Sequence, residues 1–134
     1  MNYHKVYEKL MDEHYRTSIY TGVLPDATHT SQALNPSCGD EVILQWQVHE
    51  GVIIRMRFQG TGCVLSHIAA SVLAQQSEQK KVTEFSGYTA VQLATLLGIE
   101  LGPNRMQCVA LPVQALAQLV AAVLLPTQPS AREE

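Results

Sequence analysis

Glu41-Val42-Ile43-Leu44-Gln45-Trp46-Gln47-Val48-His49 is followed by Glu50-Gly51 and then by Val52-Ile53-Ile54-Arg55-Met56-Arg57-Phe58. Val42, Leu44, Trp46 and Val48 recur at every second position, the period at which a strand shows one face to a core. Glu50-Gly51 supplies the tight turn of a hairpin, since glycine adopts positive φ without steric cost. The chain then returns as a second strand, with Ile54, Met56 and Phe58 expected on its buried face. This hairpin is preceded by Asn35-Pro36-Ser37-Cys38-Gly39-Asp40 and followed by Gly60-Thr61-Gly62-Cys63.

Outward from the hairpin, Ala27 to Leu34 is mostly small and β-branched and reads as an edge strand. Tyr3 to Tyr15 carries Val6, Tyr7, Leu10 and Met11 at helical spacing, and Thr17 to Asp26 is a loop broken by Gly22 and Pro25. Cys63 to Gln75 is rich in alanine and apolar on most sides, as a helix packed on the sheet would be. Ser77 to Ser86 is a polar connection with room for one helical turn, and Thr89 to Leu97 is a short helix closed by Gly98. Leu101-Gly102-Pro103-Asn104 breaks the chain ahead of Arg105-Met106-Gln107-Cys108, and Ala110 to Leu125 forms a last amphipathic helix that Pro126 ends. The expected class is α+β: a small antiparallel β-sheet of about three strands with helices packed over one face. Residues 1–126 are expected as a single domain and 127–134 as a flexible C-terminal tail.

The 134 residues suffice for one domain with a modest core, and 46% hydrophobic with 16% charged residues describes a globular chain. A formal net charge of −3 gives no basic footprint for nucleic acid. The longest apolar stretch, Val109 to Leu125, is interrupted by Pro112, Gln114 and Gln118, so no membrane association is expected. Three cysteines without a secretory signal argue against a disulfide framework and for metal or redox chemistry in a reducing cytoplasm.

Those cysteines stand at the mouths of elements. Cys38 lies two residues before Asp40 across Gly39, in a turn that Asn35-Pro36 opens. Cys63 follows Gly60-Thr61-Gly62 at a helix start, where free amide N–H groups favour the thiolate. Cys108 precedes an apolar run, three residues after the guanidinium of Arg105, which offsets negative charge and favours an ionised Cys108. Thiolates and a carboxylate suit zinc or iron. His67, four residues after Cys63, is a weaker candidate for the same site, and His4, His14, His29 and His49 form no evident cluster.

Asn35-Pro36-x-Cys38-Gly39-Asp40, Gly60-x-Gly62-Cys63-x-x-Ser66 and Arg105-x-x-Cys108-x-x-Leu111 together resemble the three signatures of the SufU/IscU (NifU N-terminal-type) proteins, which are iron–sulfur cluster assembly scaffolds and sulfur acceptors. Met11-Asp12-Glu13-His14-Tyr15 and Gly22-Val23-Leu24 are similar to the amino-terminal segment of that family. The resemblance implies that Cys38, Asp40, Cys63 and Cys108 hold Zn²⁺ or a transient [2Fe–2S] cluster. It also implies that the three cysteines are candidates to accept persulfide sulfur from a cysteine desulfurase of SufS/IscS/NifS type. Recipient apo-proteins or other assembly-machinery proteins would be further partners, in a cytoplasmic setting. Gln107 stands where the IscU branch has a histidine ligand and the SufU branch a lysine, and the Cys63–Cys108 separation lacks the insertion usual in the SufU branch. The branch is therefore left open.

In such a set the soft thiolates hold the metal and the single hard carboxylate is the labile corner. Two other functions fit a zinc-binding chain with no role in sulfur transfer. A zinc hydrolase would use Glu41 as its base, although catalytic zinc favours histidine-rich ligand sets. A structural zinc module would normally use only cysteine and histidine, which leaves Asp40 unexplained.

Overall fold

The computed structural model describes residues 3–16, 18–36 and 39–125. Helix α1 spans Tyr3–Leu10 and continues into a π-helical turn over Met11–Arg16. Strands β1 (His29–Asn35), β2 (Asp40–His49) and β3 (Val52–Thr61) form one antiparallel sheet in the order β1-β2-β3. Helix α2 (Val64–Ser77), a 3₁₀ turn (Val82–Phe85), α3 (Ala90–Leu97) and α4 (Pro103–Leu124) follow. The α+β class and the three-stranded sheet are those expected from the sequence. The proposed tail, 127–134, lies outside the described residues.

The hairpin forms as its alternation dictates. Val42, Leu44 and Trp46 are buried on β2, facing the helices, and Glu50 and Gly51 turn at φ of +50° and +78°. The return strand differs in one respect. Gln47 pairs with Arg55 and Val48 with Ile53, so Ile54 is the extra residue of a β-bulge. The bulge shifts the inward phase, and Ile53 rather than Ile54 joins Met56 and Phe58 in the core. Ile54 is half-buried.

Both edges of this sheet are occupied. Along β3, Phe58 exchanges hydrogen bonds with Tyr20 and Gly22, and Ile53 does so with Gln79 and Lys80. Glu78 accepts the Met56 N–H at 3.0 Å and pairs with the Arg57 guanidinium at 2.7 Å. Along β1, the side-chain amide of Gln118 on α4 accepts from the Gln32 N–H at 3.4 Å and donates to the Gln32 carbonyl at 2.8 Å. One glutamine thus does what a fourth strand would do, covering an edge that otherwise invites intermolecular pairing.

Helix α4 is the spine of the helical layer. By length and composition it would suffice to cross a membrane. Here it packs on β1, β2, α2, α3 and the 3₁₀ turn, burying Val109, Leu111, Val113, Ala115, Leu116 and Leu119. The expected breaker ahead of it is instead its beginning: Pro103 occupies the first helical position, where a missing N–H costs nothing. Cys108 therefore sits inside α4 and not before it.

The expected helix over Tyr3 to Tyr15 is α-helical only to Leu10. The wider π turn brings His14 inward, where it is 4% exposed and its Nδ1 lies 2.9 Å from Ser71 Oγ on α2. Ser18 Oγ completes the group, 3.0 Å from Ser71 Oγ.

The bulge makes a direct test. Ile53→Ala should cost about 2–5 kcal/mol of unfolding free energy, the range for a fully buried isoleucine, and Ile54→Ala about 1 kcal/mol. Urea unfolding of the two variants measures this, and equal losses would mean that the inward phase is wrong.

Candidate metal centre

On β2, residues of even number face the helices, so the alternation that buries Val42, Leu44 and Trp46 also sends Asp40 to the helical side. Glu41 points the other way, and its carboxylate accepts a hydrogen bond from the Gln32 side chain of the neighbouring strand. That placement removes the reason for treating Glu41 as a metal-centre base.

The end of β3 comes very close to Asp40. Gly60 pairs with Val42, and a Cβ on Gly60 would lie 2.2 Å from the Glu41 carbonyl oxygen. Gly62 has φ of +153°, and a Cβ there would lie 2.7 Å from Asp40 Cγ. Two glycines thus let the chain cross over the carboxylate and enter α2 at once. Cys63 is the N-cap residue: its own N–H donates to Asp40 Oδ2 at 3.4 Å, and its Sγ accepts from the Ser66 N–H at 3.3 Å. Asp40 accordingly sits at the positive end of the α2 dipole.

Helix α4 brings the third group. The donor atoms of Asp40, Cys63 and Cys108 all lie within 4.8 Å of one another, and all three residues are half-buried. A Zn–S distance of about 2.3 Å places tetrahedral donors about 3.8 Å apart, so the three groups fit one metal after small adjustment. Ser66 Oγ bridges the helices, 3.3 Å from Cys63 Sγ and donating to the Cys108 carbonyl at 3.1 Å. Cys38 lies outside the described residues; the Gly39 N–H donates to the Asn35 carbonyl at 2.7 Å, with Gly39 at φ +78°.

The two cysteines differ in their electrostatics. Burial raises the Cys63 thiol, yet hydrogen bonds from the Ser66 hydroxyl, the Cys108 thiol and the Ser66 N–H outweigh it and lower it below the usual value against the opposing charge of Asp40. Burial, then the hydrogen bond with Cys63 and the negative charge there, push Cys108 up to about 11. The expectation for Cys63 holds, and the one for Cys108 is reversed. Arg105 is exposed on α4 and is not among the groups that set the Cys108 thiol.

His67 does not join the cluster. Its ring sits between Tyr15 and Phe58, with centroids 4.9 and 4.8 Å away, and its Nε2 lies 3.3 Å from Thr21 Oγ1. Burial lowers its pKa. It does wall a cavity of about 220 Å³ beside the centre, together with Tyr15, Thr61, Gly62 and Cys63. The docking of His14 on Ser71 holds the π turn that supplies Tyr15 to this wall. Ser66 and His14 stand in the sequence motifs without an assigned role, and Ser71 lies outside them. Ser66 and Ser71 look like small packing residues, and His14 is separated by 57 positions from its partner.

Among the described residues a three-stranded antiparallel sheet lies under four α-helices, with an aspartate at the start of β2, a cysteine capping α2 and a cysteine in the second turn of α4 gathered at one point, a donor set that could hold a metal ion. Residues 6–125 match the NifU-like N terminal domain, and the chain belongs to that family. Among its relatives is the "Iron-sulfur cluster assembly scaffold protein IscU" of Thermotoga maritima, 32% identical over 84 residues that cover 63% of this chain and 59% of that protein's length. Another is the "Zinc-dependent sulfurtransferase SufU" of Bacillus subtilis, 24% identical over 137 residues, covering 90% of this chain and 92% of the relative. A crystal structure of an iron–sulfur cluster assembly scaffold protein for the SUF system from Fervidobacterium islandicum shares the fold, with a TM-score of 0.67 at 24% identity, covering 84% of this chain and 95% of that one.

The inequality of the thiols predicts an order of modification in metal-free protein. Cys63 should react with iodoacetamide at neutral pH, whereas Cys108 should lag until the pH approaches 11. Peptide mass spectrometry of time courses across pH resolves the two sites. Cys108 alkylating first at pH 7 would contradict the assignment.

Proposed function

We propose that this chain acts in iron–sulfur cluster assembly, accepting sulfur from a cysteine desulfurase at a site made of Cys38, Asp40, Cys63 and Cys108. The observation that carries the reading is the convergence of Asp40, Cys63 and Cys108 from three separate elements. Zn²⁺ is the resident metal this donor set suits, and when bound it would keep the cysteines deprotonated in readiness for sulfur. The [2Fe–2S] cluster is the cargo that the same thiolates would hold.

The chain's own residues have distinct parts. Cys63 lines the cavity beside the centre, which makes it the thiol that an incoming group reaches. Its thiolate attacks the outer sulfur of the partner's persulfide; the S–S bond there breaks, the partner's cysteine leaves as thiolate, and a persulfide remains on this chain. Asp40, kept in place by the Cys63 N–H, would be the hard ligand to a bound metal and the one held more weakly than the soft thiolates.

Two measurements test this. The purified protein should carry about one Zn²⁺ per chain. It should also raise the turnover of a SufS-type desulfurase, with an added sulfur atom appearing on a cysteine peptide. Cys63→Ser should abolish the added sulfur on that peptide. Asp40→Ala should leave the far-ultraviolet circular dichroism unchanged yet slow sulfur acceptance by about 10- to 100-fold. Parental sulfur acceptance by both variants would overturn the assignment.

A further inference from the structure

In an α-helix the carbonyl of Cys108 would accept from the N–H of residue 112, four positions on. Residue 112 is proline, buried inside α4, so that N–H does not exist, and a proline ring crowds the carbonyl four residues earlier. The Ser66 hydroxyl of α2 takes the place of the missing donor, giving its proton to the Cys108 carbonyl at 3.1 Å. The same oxygen lies 3.3 Å from Cys63 Sγ, and the Ser66 N–H donates to that sulfur as well. Ser66 is 8% exposed, so water does not compete freely for either contact.

We infer that Ser66 is the positioning residue of this centre: its hydroxyl, seated between Cys63 Sγ and the carbonyl that Pro112 leaves without a helical partner, fixes α4 against α2 and so sets the Cys63–Cys108 spacing. The inference rests on the reading that Asp40, Cys63 and Cys108 form one site.

Proline at position 112 is what makes the Ser66 contact possible, because an ordinary residue would satisfy the Cys108 carbonyl within the helix.

The experiment compares the full chain with Ser66→Ala, Ser66→Thr, Pro112→Ala and the Ser66→Ala/Pro112→Ala double variant. The first readout is Zn²⁺ affinity by competition with a chromophoric chelator. The second uses metal-free protein: the yield of Cys63–Cys108 cross-link from a short bis-alkylating reagent, scored on peptides by mass spectrometry. Ser66→Ala should weaken Zn²⁺ binding about 10- to 100-fold and depress the cross-link, and Ser66→Thr should restore both. Pro112→Ala should depress the cross-link by itself, because the new N–H competes for the carbonyl. Adding Ser66→Ala to it should then cost clearly less than Ser66→Ala alone.

A parental cross-link yield in Ser66→Ala, or a fully additive loss in the double variant, overturns the inference whether or not zinc binds. A parent that binds no Zn²⁺ but whose cross-link still responds refutes only the metal reading. Circular dichroism checks each variant for folding. Should Ser66→Ala not fold, Pro112→Ala decides alone, and an unchanged cross-link in that folded variant overturns the inference.

Discussion

Everything at the centre depends on how closely β3 may pass the first residue of β2. A side chain at Gly60 would strike backbone, and one at Gly62 would strike the Asp40 carboxylate, so both positions have to be bare. Because they are, β3 runs to its end beside Asp40, and after the single residue Gly62 the chain reaches Cys63, the cap of α2. The carboxylate then meets the exposed N–H groups of a helix start, where negative charge is favoured. Helix α4 has only to bring Cys108 over this corner. The site is thus a product of backbone clearance first and of ligand chemistry second.

The same economy governs the periphery of the sheet. A three-stranded sheet has two open edges, each a row of unpaired donors and acceptors that other chains can join. On one side, segments flanking Tyr20 and Gln79 fill the row; on the other, the amide of Gln118 does so at Gln32. These closures come from loop residues and one side chain of α4, so the three-stranded sheet has partners along both edges. Ser31 adds to the β1–α4 contact by donating to the Ala115 carbonyl at 2.7 Å.

What the sequence could reveal follows from the range over which its signals act. Strand alternation and helix spacing are local, and the hairpin, the edge strand and every α-helix were legible from them. Ile53 and Ile54 are chemically identical neighbours, so nothing local says which one turns inward at the bulge. Pro103 illustrates the ambiguity of a breaker: a proline can end a helix or open one, and here it opens α4. The cysteine and aspartate motifs marked the centre, but the sense of the Cys108 shift depends on Cys63 across 45 positions and could not be read from its neighbour Arg105. Ser66 and His14 were hidden for the same reason, since their partners come from other elements.

Consider finally that the three gathered donor groups belong to β2, α2 and α4, three elements distant in sequence that form much of the core. A ligand bridging them would bind only where the three elements converge, and so would favour the folded state. Ligand present at a hundredfold above its dissociation constant would add about 2.7 kcal/mol to unfolding free energy. For a domain of this size that is a sizeable part of the whole. On the proposed function the centre would be a detachable cross-link, and the global melting point would gauge its occupancy. A scaffold built in this way becomes easier to unfold at the moment it gives up what it holds, so delivery and turnover of the carrier are thermodynamically linked.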